Sequence, residues 1–374
     1  MRIAMLSPYA QTQPGGVQGQ VSGLARALRR LCHDVTVVCP ADSGVAFPES
    51  LGDHYVIGRP TGVRSNGSIA PVALSPAAAV RAERFIRKGD FDLVHIHEPL
   101  APTAAYGLVL TDPLPMVATY HRAGLSSWVR PLKPLVELVG RRMDVCVAVS
   151  DSARKTGEQS SGGPFEVLFN GVDVDPYESA EPVHDDSDVP TPTVLFLGRH
   201  EQRKGLGVLL DAFALVERPA VLWVAGEGPE TEVQCRRHPE SDRLHWLGTV
   251  TEEDKAARLA GADVLCAPSL HGESFGMVLL EGMAAGCAVV ASDIEGYRMA
   301  AGGHAALVPP GDKVALARAL GVALADAVEG NGLSAPDARK AAIEHARHWS
   351  MDSLAERYVD VYGRAISSYR ARRS

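Results

Sequence analysis

Short apolar segments alternate with helical patterns along the whole chain. In the first half, the apolar runs predict strands at Ile3–Leu6, Val35–Val38, Leu93–Ile96, Met116–Thr119 and Val145–Val149. In the second half, they predict strands at Val194–Leu197, Val221–Ala225, Leu244–Leu247, Val264–Ala267 and Ala288–Ala291. Helices are predicted at Val17–Leu31, Gly207–Val216, Glu252–Ala260, Phe275–Ala285 and Lys313–Leu324, where apolar residues recur at helical spacing. This alternation predicts parallel sheets with right-handed crossovers.

The chain of 374 residues is long enough for two such α/β halves. The segment Tyr177–Pro192 is acidic, contains proline and lacks periodicity, so we interpret it as the linker between the halves. The tail Met351–Tyr369 has an apolar stripe through Leu354, Tyr358, Val361 and Ile366. That stripe predicts an amphipathic helix, which could pack on either half.

Charge and cysteine content narrow the class of protein. The net charge of -8 argues against a nucleic-acid partner. None of the six cysteines forms a C-x-x-C pair, which favours buried thiols in a reducing cytoplasm. The chain begins directly with a predicted strand and contains no apolar stretch of membrane-spanning length, so we expect any membrane contact to be peripheral.

Parallel sheets bind ligands at the carboxyl ends of their strands, so the residues after each strand are the candidates for chemistry. After the first strand, Gly15-Gly16 precedes a helix and forms either a tight turn or an anion site at the helix start. The segment lacks the GxGxxG pattern of dinucleotide sites. His95 and His97 alternate on one strand beside Glu98, which permits a metal site or strand-end hydrogen bonds. His121, after the fourth strand, is either structural or catalytic.

The second half carries stronger signals. Arg199, Arg203 and Lys204 follow a strand and precede a helix, which indicates a diphosphate site more than a solvated basic turn. Farther along, Glu273 and Glu281 are eight residues apart, about two helical turns. One carboxylate would precede the helix and hold a sugar, a phosphate would bind at the helix start, and the other carboxylate would accept a ribose diol. Each glutamate also has a plain explanation, as a helix-dipole partner or a solvated side chain.

The string GESFGMVLLEGMAAG, with its two glutamates, resembles the signature of the retaining glycosyltransferases of family 4, which have the GT-B fold. Other segments agree in order: PGGVQ from Pro14, HIHEP from His95, AVSD from Ala148, NGVD from Asn170, LGRHEQRKG from Leu197 and VAGEGPE from Val224. The resemblance covers essentially the whole chain. Within the family, the likeness is greatest to actinobacterial transferases that move mannose from GDP-mannose to the inositol of phosphatidyl-myo-inositol at the inner face of the plasma membrane.

The resemblance implies a fold and two domains. The expected architecture is α/β, with two doubly wound, Rossmann-like domains facing each other across a cleft and a C-terminal helix that crosses back to the N-terminal domain. The acceptor-binding domain would comprise residues 1–170 with helix 351–374. The donor-binding domain would comprise residues 171–350. The enzyme would be cytoplasmic, peripheral at an anionic membrane, and would use a nucleotide sugar and a phospholipid acceptor.

The resemblance also implies roles for individual residues. The catalytic group would be His121, Arg199, Lys204 and Glu273. The donor would contact Gly16, Val250, Lys255, Ser274, Phe275, Gly276, Met277, Val278 and Glu281. The acceptor would contact Tyr9, Gln18, Asn66, Ser68, Arg122 and Glu201. We expect retention by front-face attack, with no tightly bound cofactor and no DxD metal site.

Three departures concern the acceptor. Where the likeness would place an arginine for the lipid phosphate, this chain has Pro71, and Arg122 could supply the missing contact. The stretch after His121 is Arg-Ala-Gly-Leu in place of a Thr/Ser-rich run, and Glu83 interrupts the basic residues of the helix near Val80–Lys88. These departures leave open a family 4 transferase with another nucleotide sugar or a soluble acceptor, and a regulatory module of the same fold.

Overall fold

A computed structural model describes residues 1–13, 15–47, 51–65, 68–101, 105–122, 124, 133–184, 191–273 and 275–374. The chain divides into two compact units. The first unit comprises Met1–Gly171 and Met351–Ser374, and the second unit comprises Val172–Ser350. Each unit is built around its own parallel sheet.

The first unit has a seven-stranded parallel sheet in the order β3-β2-β1-β6-β7-β8-β9, and a separate antiparallel hairpin, β4-β5. Its strands are β1 (Arg2–Leu6), β2 (Asp34–Cys39), β3 (His54–Val56), β4 (Thr61–Ser65), β5 (Ser68–Val72), β6 (Leu93–His97), β7 (Met116–Tyr120), β8 (Val145–Ala148) and β9 (Phe165–Val167). Its helices are α1 (Gly16–Arg30), α2 (Pro76–Lys88), α3 (Ala105–Thr111), α4 (Lys133–Arg142) and α5 (Asp151–Ser161), joined by the C-terminal helix of the chain.

The second unit has a six-stranded parallel sheet in the order β12-β11-β10-β13-β14-β15. Its strands are β10 (Thr193–Leu197), β11 (Val221–Ala225), β12 (Leu244–Gly248), β13 (Val264–Ala267), β14 (Ala288–Ser292) and β15 (Ala305–Val308). The helices are α6 (Asp175–Glu178), α7 (Leu206–Phe213), α8 (Thr231–Arg237), α9 (Glu252–Gly261), α10 (Met277–Ala284), α11 (Glu295–Ala301), α12 (Lys313–Glu329), α13 (Pro336–His348) and, in the first unit, α14 (Met351–Arg373). The predicted doubly wound α/β fold is thus confirmed.

Side chains of alternate strand residues fill the two faces of the first sheet. Ala4 and Leu6 of β1 pack into the cluster under α2, α3 and α4. Ile3 and Met5 pack on the opposite face, in the cluster that includes α1 and α14. This two-sided burial explains why the strands are near-continuous apolar runs.

Helix α14 packs against the first unit, which confirms the predicted return of the C-terminal helix. Its buried stripe includes Leu354, Tyr358 and Val361, as the periodicity predicted. The far end of the helix is fixed by Arg372, whose guanidinium contacts Asp112 and Asp144, both at 2.9 Å.

The linker prediction for Tyr177–Pro192 is wrong. Its described residues lie inside the second unit, where Tyr177 is buried and the Val183 N–H donates to the Ala257 carbonyl at 3.1 Å. The chain instead passes between the units at Gly171–Val172 and at Ser350–Met351. The acidic composition of the segment resembles that of a linker, but Tyr177 and Val183 pack on α9.

Candidate functional site

In each unit, several candidate residues follow the two strands between which the strand order reverses. The first sheet reverses between β1 and β6, and the second between β10 and β13. Loops from such neighbouring strands diverge to opposite sides of a sheet and leave a crevice at its carboxyl edge.

The loop after β10 is shaped by Gly205, which has a φ of 72°. A Cβ at this position would lie 2.0 Å from the Pro268 carbonyl oxygen, so only glycine allows the loop to pass so close to the end of β13. The close approach brings the cations of the β10 loop to the carboxylate that follows β13.

These charges form a continuous network. Glu273 Oε1 contacts Lys204 Nζ at 2.7 Å and Arg203 Nη1 at 3.0 Å. Arg203 also donates to Glu201 at 2.8 Å, and Arg199 contacts Glu201 at 3.2 Å. Three cations and two carboxylates leave one excess positive charge, which favours an anionic ligand. The structure thereby brings together Arg199, Glu201, Lys204 and Glu273, and it includes Arg203 of the same predicted basic loop, to which no individual role was assigned.

Helix α10 begins at Met277, two residues later than predicted, because Gly276 has a φ of 90° and caps the helix. Among the described residues, no side chain caps the first turn, so the N–H groups of Met277 and Val278 can meet a ligand, while the Leu279 N–H donates to the Gly276 carbonyl at 3.0 Å. Phe275 is buried, with its ring edge against Trp349 at 5.0 Å, and can contact a donor only through its backbone. Val278 is half-buried, and Ser274 lies outside the described residues.

A second group of charges joins α9 and α10. Lys255 Nζ lies 3.3 Å from Glu281 Oε1 and 2.7 Å from Glu252 Oε2. It also lies 5.4 Å from the centroid of the Tyr177 ring. Burial lowers the pKa of Lys255, but Glu281, Tyr177 and Glu252 together raise it by more, so the ammonium stays charged. The half-buried Val250, predicted to line the same pocket, follows β12. Tyr177 was missed because its segment was assigned as a linker.

In the first unit, His121 is held by the two residues at the end of β6. Its Nε2 lies 2.9 Å from His97 Nδ1, and its backbone N–H donates to Glu98 Oε2 at 3.1 Å. Burial lowers the pKa of His121 to about 4 and that of His97 still further below its ordinary value. Both rings are therefore neutral at pH 7. They line a cavity of about 10 Å³.

His95 belongs to the core rather than to the site. Its Nδ1 lies 2.8 Å from the Tyr362 hydroxyl and its Nε2 lies 2.7 Å from Thr119 Oγ1, which also contacts the Tyr358 hydroxyl at 2.7 Å. Burial lowers the pKa of His95 to about 3. Of the two interpretations of the His95–Glu98 segment, hydrogen bonding at the strand end is the one observed. Within the described ranges, no three His, Cys, Asp or Glu side chains are placed to hold a metal ion together.

Tyr9, Glu98 and Arg122 lie close enough for their charges to influence one another. Burial and the Glu98 charge raise the pKa of Tyr9, and the nearby Arg122 opposes this. Burial likewise raises the pKa of Glu98 to about 7, against the opposing charge of Arg122. Glu98 was absent from the predicted site residues, although it directly follows β6 as His121 directly follows β7.

Other predicted residues of the first unit lie near the carboxyl end of β1. Gly16 begins α1, and a Cβ there would meet no atom within 4 Å, so its backbone is approachable. Gln18 is half-buried on the same helix turn. The Pro71 carbonyl accepts a hydrogen bond from the Ala10 N–H at 3.0 Å, which attaches the hairpin to the loop after β1. Asn66 lies outside the described residues, and of Ser68 only the backbone, at the start of β5, is described.

Known proteins resemble both halves. The family described as "Glycosyltransferase Family 4" matches residues 14–176, and "Glycosyl transferases group 1" matches residues 191–326. Phosphatidyl-myo-inositol mannosyltransferase of Mycobacterium leprae is 40% identical, with 86% of each chain covered. D-inositol 3-phosphate glycosyltransferase of Salinispora tropica is 30% identical, with 100% of this chain and 87% of that one covered. The Anabaena protein HepE, solved with UDP and glucose, superposes with a TM-score of 0.74 at 20% identity over 97% of this chain and 99% of that one.

No helix within the described ranges combines the length and apolar character needed to cross a bilayer.

Proposed function

Because this chain belongs to glycosyltransferase family 4 and is a hexosyltransferase, we propose that it moves mannose from GDP-mannose to the inositol of phosphatidyl-myo-inositol. The 40% identity to the mannosyltransferase of Mycobacterium leprae over 86% of both chains carries the choice of sugar and acceptor. The domain roles follow the same likeness, with the donor on the second unit and the acceptor on the first.

The donor diphosphate binds the charge network after β10. Arg199, Arg203 and Lys204 exceed the two carboxylates of the network by one charge. The uncapped start of α10 adds backbone donors and a positive dipole end. Glu273 holds the hexose hydroxyls.

The ribose and base bind beside α9 and α10. Glu281 accepts from the ribose diol, and Val250, Lys255, Phe275, Met277 and Val278 line the nucleotide. Lys255 Nζ lies 3.3 Å from Glu281 Oε1 and neutralises its charge. A ribose hydroxyl therefore competes with an existing contact, and the lysine retains Glu252 as a partner at 2.7 Å.

Transfer proceeds with retention. The acceptor hydroxyl attacks from the face of the departing diphosphate, which takes the proton of the hydroxyl. Arg199, Lys204 and the α10 start stabilise the negative charge that develops on the leaving group. His121, neutral and fixed at the end of β7, positions the hexose.

The acceptor binds near Tyr9, Gln18 and Arg122, with Asn66, Ser68 and Glu201 as further contacts. Arg122 takes the lipid phosphate in place of the arginine that Pro71 replaces. This role is supported by the effect of the Arg122 charge, which lowers the pKa values of both Tyr9 and Glu98.

Peripheral association with an anionic membrane would use α2. Arg81, Arg84, Arg87 and Lys88 are exposed on this helix, and Val80 is 62% exposed beside them. Glu83 pairs with Arg87 at 2.8 Å and so removes part of the positive charge. Co-sedimentation with phosphatidylinositol vesicles, compared with phosphatidylcholine vesicles, tests this association.

A soluble acceptor is the second candidate. Pro71, in place of an arginine, favours it, and the Salinispora tropica relative is named for an inositol phosphate acceptor.

The test is nucleotide release measured for each pairing of GDP-mannose, UDP-glucose or ADP-glucose with phosphatidylinositol vesicles or soluble inositol phosphate. Release of GDP with vesicles alone supports the proposal. Release only with inositol phosphate overturns the lipid assignment, and release only from a UDP or ADP sugar overturns the donor assignment.

A further inference from the structure

In the contact between His97 and His121, either ring could donate the hydrogen bond. Which one does depends on the tautomer of each imidazole, and this bears on the proposed sugar transfer. The ring nitrogens His97 Nδ1 and His121 Nε2 lie 2.9 Å apart, with ring planes inclined by 22°. Both rings are neutral at pH 7, since burial lowers both pKa values. A neutral imidazole carries one N–H and one bare nitrogen, so one ring donates and the other accepts.

The surroundings of His97 decide which ring donates. Its other nitrogen, Nε2, is buried and has no hydrogen-bond partner among the described residues. A buried N–H without an acceptor is among the rarest features of folded proteins, and a bare acceptor atom without a donor is better tolerated. The proton of His97 therefore lies on Nδ1, where it is donated to His121.

The position of the proton on His97 determines the tautomer of His121. Because its Nε2 accepts from His97, its own proton must lie on Nδ1. That nitrogen makes no hydrogen bond among the described residues, and His121 is half-buried. We propose that His97 is a positioning residue that locks His121 as the Nδ1–H tautomer, so that His121 meets the substrate as a hydrogen-bond donor to a sugar or acceptor oxygen and not as a base.

The two residues at the end of β6 divide the task. His97 orients the ring of His121, and Glu98 accepts from its backbone N–H at 3.1 Å. The neighbouring His95 ring, 4.2 Å from His97 between centroids, is engaged through both nitrogens with Tyr362 and Thr119. It therefore cannot accept from or donate to His97 Nε2, and among the described residues only His97 contacts a ring nitrogen of His121.

The primary test is spectroscopic and needs no turnover. Long-range ¹H–¹⁵N correlation of the ¹⁵N-histidine protein at pH 7, with the His121 signals assigned by their loss in His121→Gln, reports which ring nitrogen carries the proton. The expected result is a bare Nε2 and a protonated Nδ1 at His121. In His97→Leu, His121 should move towards the Nε2–H form. A protonated Nε2 in the wild-type protein overturns the inference, as does an unchanged tautomer in His97→Leu.

A matched pair of variants gives the kinetic test, which rests on the proposed transferase function. Asparagine and leucine have the same branched shape, and only asparagine keeps an N–H near the position of Nδ1. His97→Leu should lower kcat by about 10–100-fold, as loss of comparable histidine-orienting partners does, with KM within about twofold. His97→Asn should recover most of this loss, and His95→Gln should leave kcat within about twofold. Equal kcat in His97→Leu and the wild type contradicts the inference. If the wild type transfers no sugar, the proposed function fails, while the spectra still decide the tautomer.

Discussion

Replacing the buried His95 with glutamine should make the first unit less sensitive to acid. In the folded protein the pKa of His95 is lowered to about 3, because the ring is fully buried. In the unfolded chain its pKa is about 6.5. Between pH 7 and pH 5 the unfolded chain therefore binds a proton that the folded protein does not. This stabilises the unfolded chain by about 2 kcal/mol, so folding stability is full above pH 6.5 and falls as the pH decreases.

His97 and His121 act in the same direction, since their pKa values are also lowered. Glu98 acts in the opposite direction. Its pKa is raised to about 7, so the folded protein binds a proton between pH 7 and pH 5 and gains stability as the pH falls. Comparing His95→Gln with the wild type at both pH values removes the contributions of Glu98 and His121 and most of that of His97, whose pKa is lowered mainly by burial and less by His95.

Hydrogen exchange of the slowest amides in β1 and β7 is the assay, because it separates the two units. The loss of protection between pH 7 and pH 5, corrected for intrinsic exchange, should be about 30-fold larger in the wild type than in His95→Gln, which corresponds to the 2 kcal/mol. Amides of β10 and β11 serve as the internal control and should respond equally in both proteins. Equal acid sensitivity of β1 and β7 in the two proteins would refute the reasoning.

Three further outcomes are expected. Lys204→Met should lower kcat by about 10²–10³-fold, because it removes a cation from the leaving group; the exposed Lys313→Met, a control in the same unit, should leave kcat unchanged. Gly276→Ala should destabilise the second unit by about 1–3 kcal/mol, since φ is 90° and the new Cβ would lie 2.6 Å from the Tyr297 ring, and an unshifted thermal transition would contradict this. Tyr358→Phe should lower the free energy of unfolding by about 1–3 kcal/mol, because it removes a buried hydroxyl that lies 2.7 Å from Thr119 Oγ1. An unaltered midpoint in urea unfolding would contradict this.

The strands and the charged cluster after β10 and β13 could be predicted because local patterns encode them. Buried parallel strands require apolar runs, and polar residues that follow their carboxyl ends are the candidates for a site, which pointed to Arg199, Lys204 and Glu273. Short edge strands such as β3 and β9 have three residues each, too few to show a period, and were missed.

Pairings across the fold could not be predicted. Arg203 contributes through Glu273, 70 positions away, and their contact depends on the close passage of the β10 loop beneath β13. The contact of His97 with His121 depends on the register of β6 and β7, in which His97 lies opposite Thr119. A single sequence does not specify such register, since any shift by two residues preserves the same apolar face.

The most direct measurement of the central claim is the identity of the product formed from GDP-mannose and phosphatidylinositol vesicles by the purified protein. Mass spectrometry of the extracted lipid, with the one-bond C–H coupling of the new anomeric carbon, reports both the sugar added and its configuration. The account predicts a phosphatidylinositol that carries one additional hexose in the α configuration of the donor. An unmodified lipid under conditions where GDP-mannose is consumed with a soluble acceptor, or a product with inverted configuration, would contradict it.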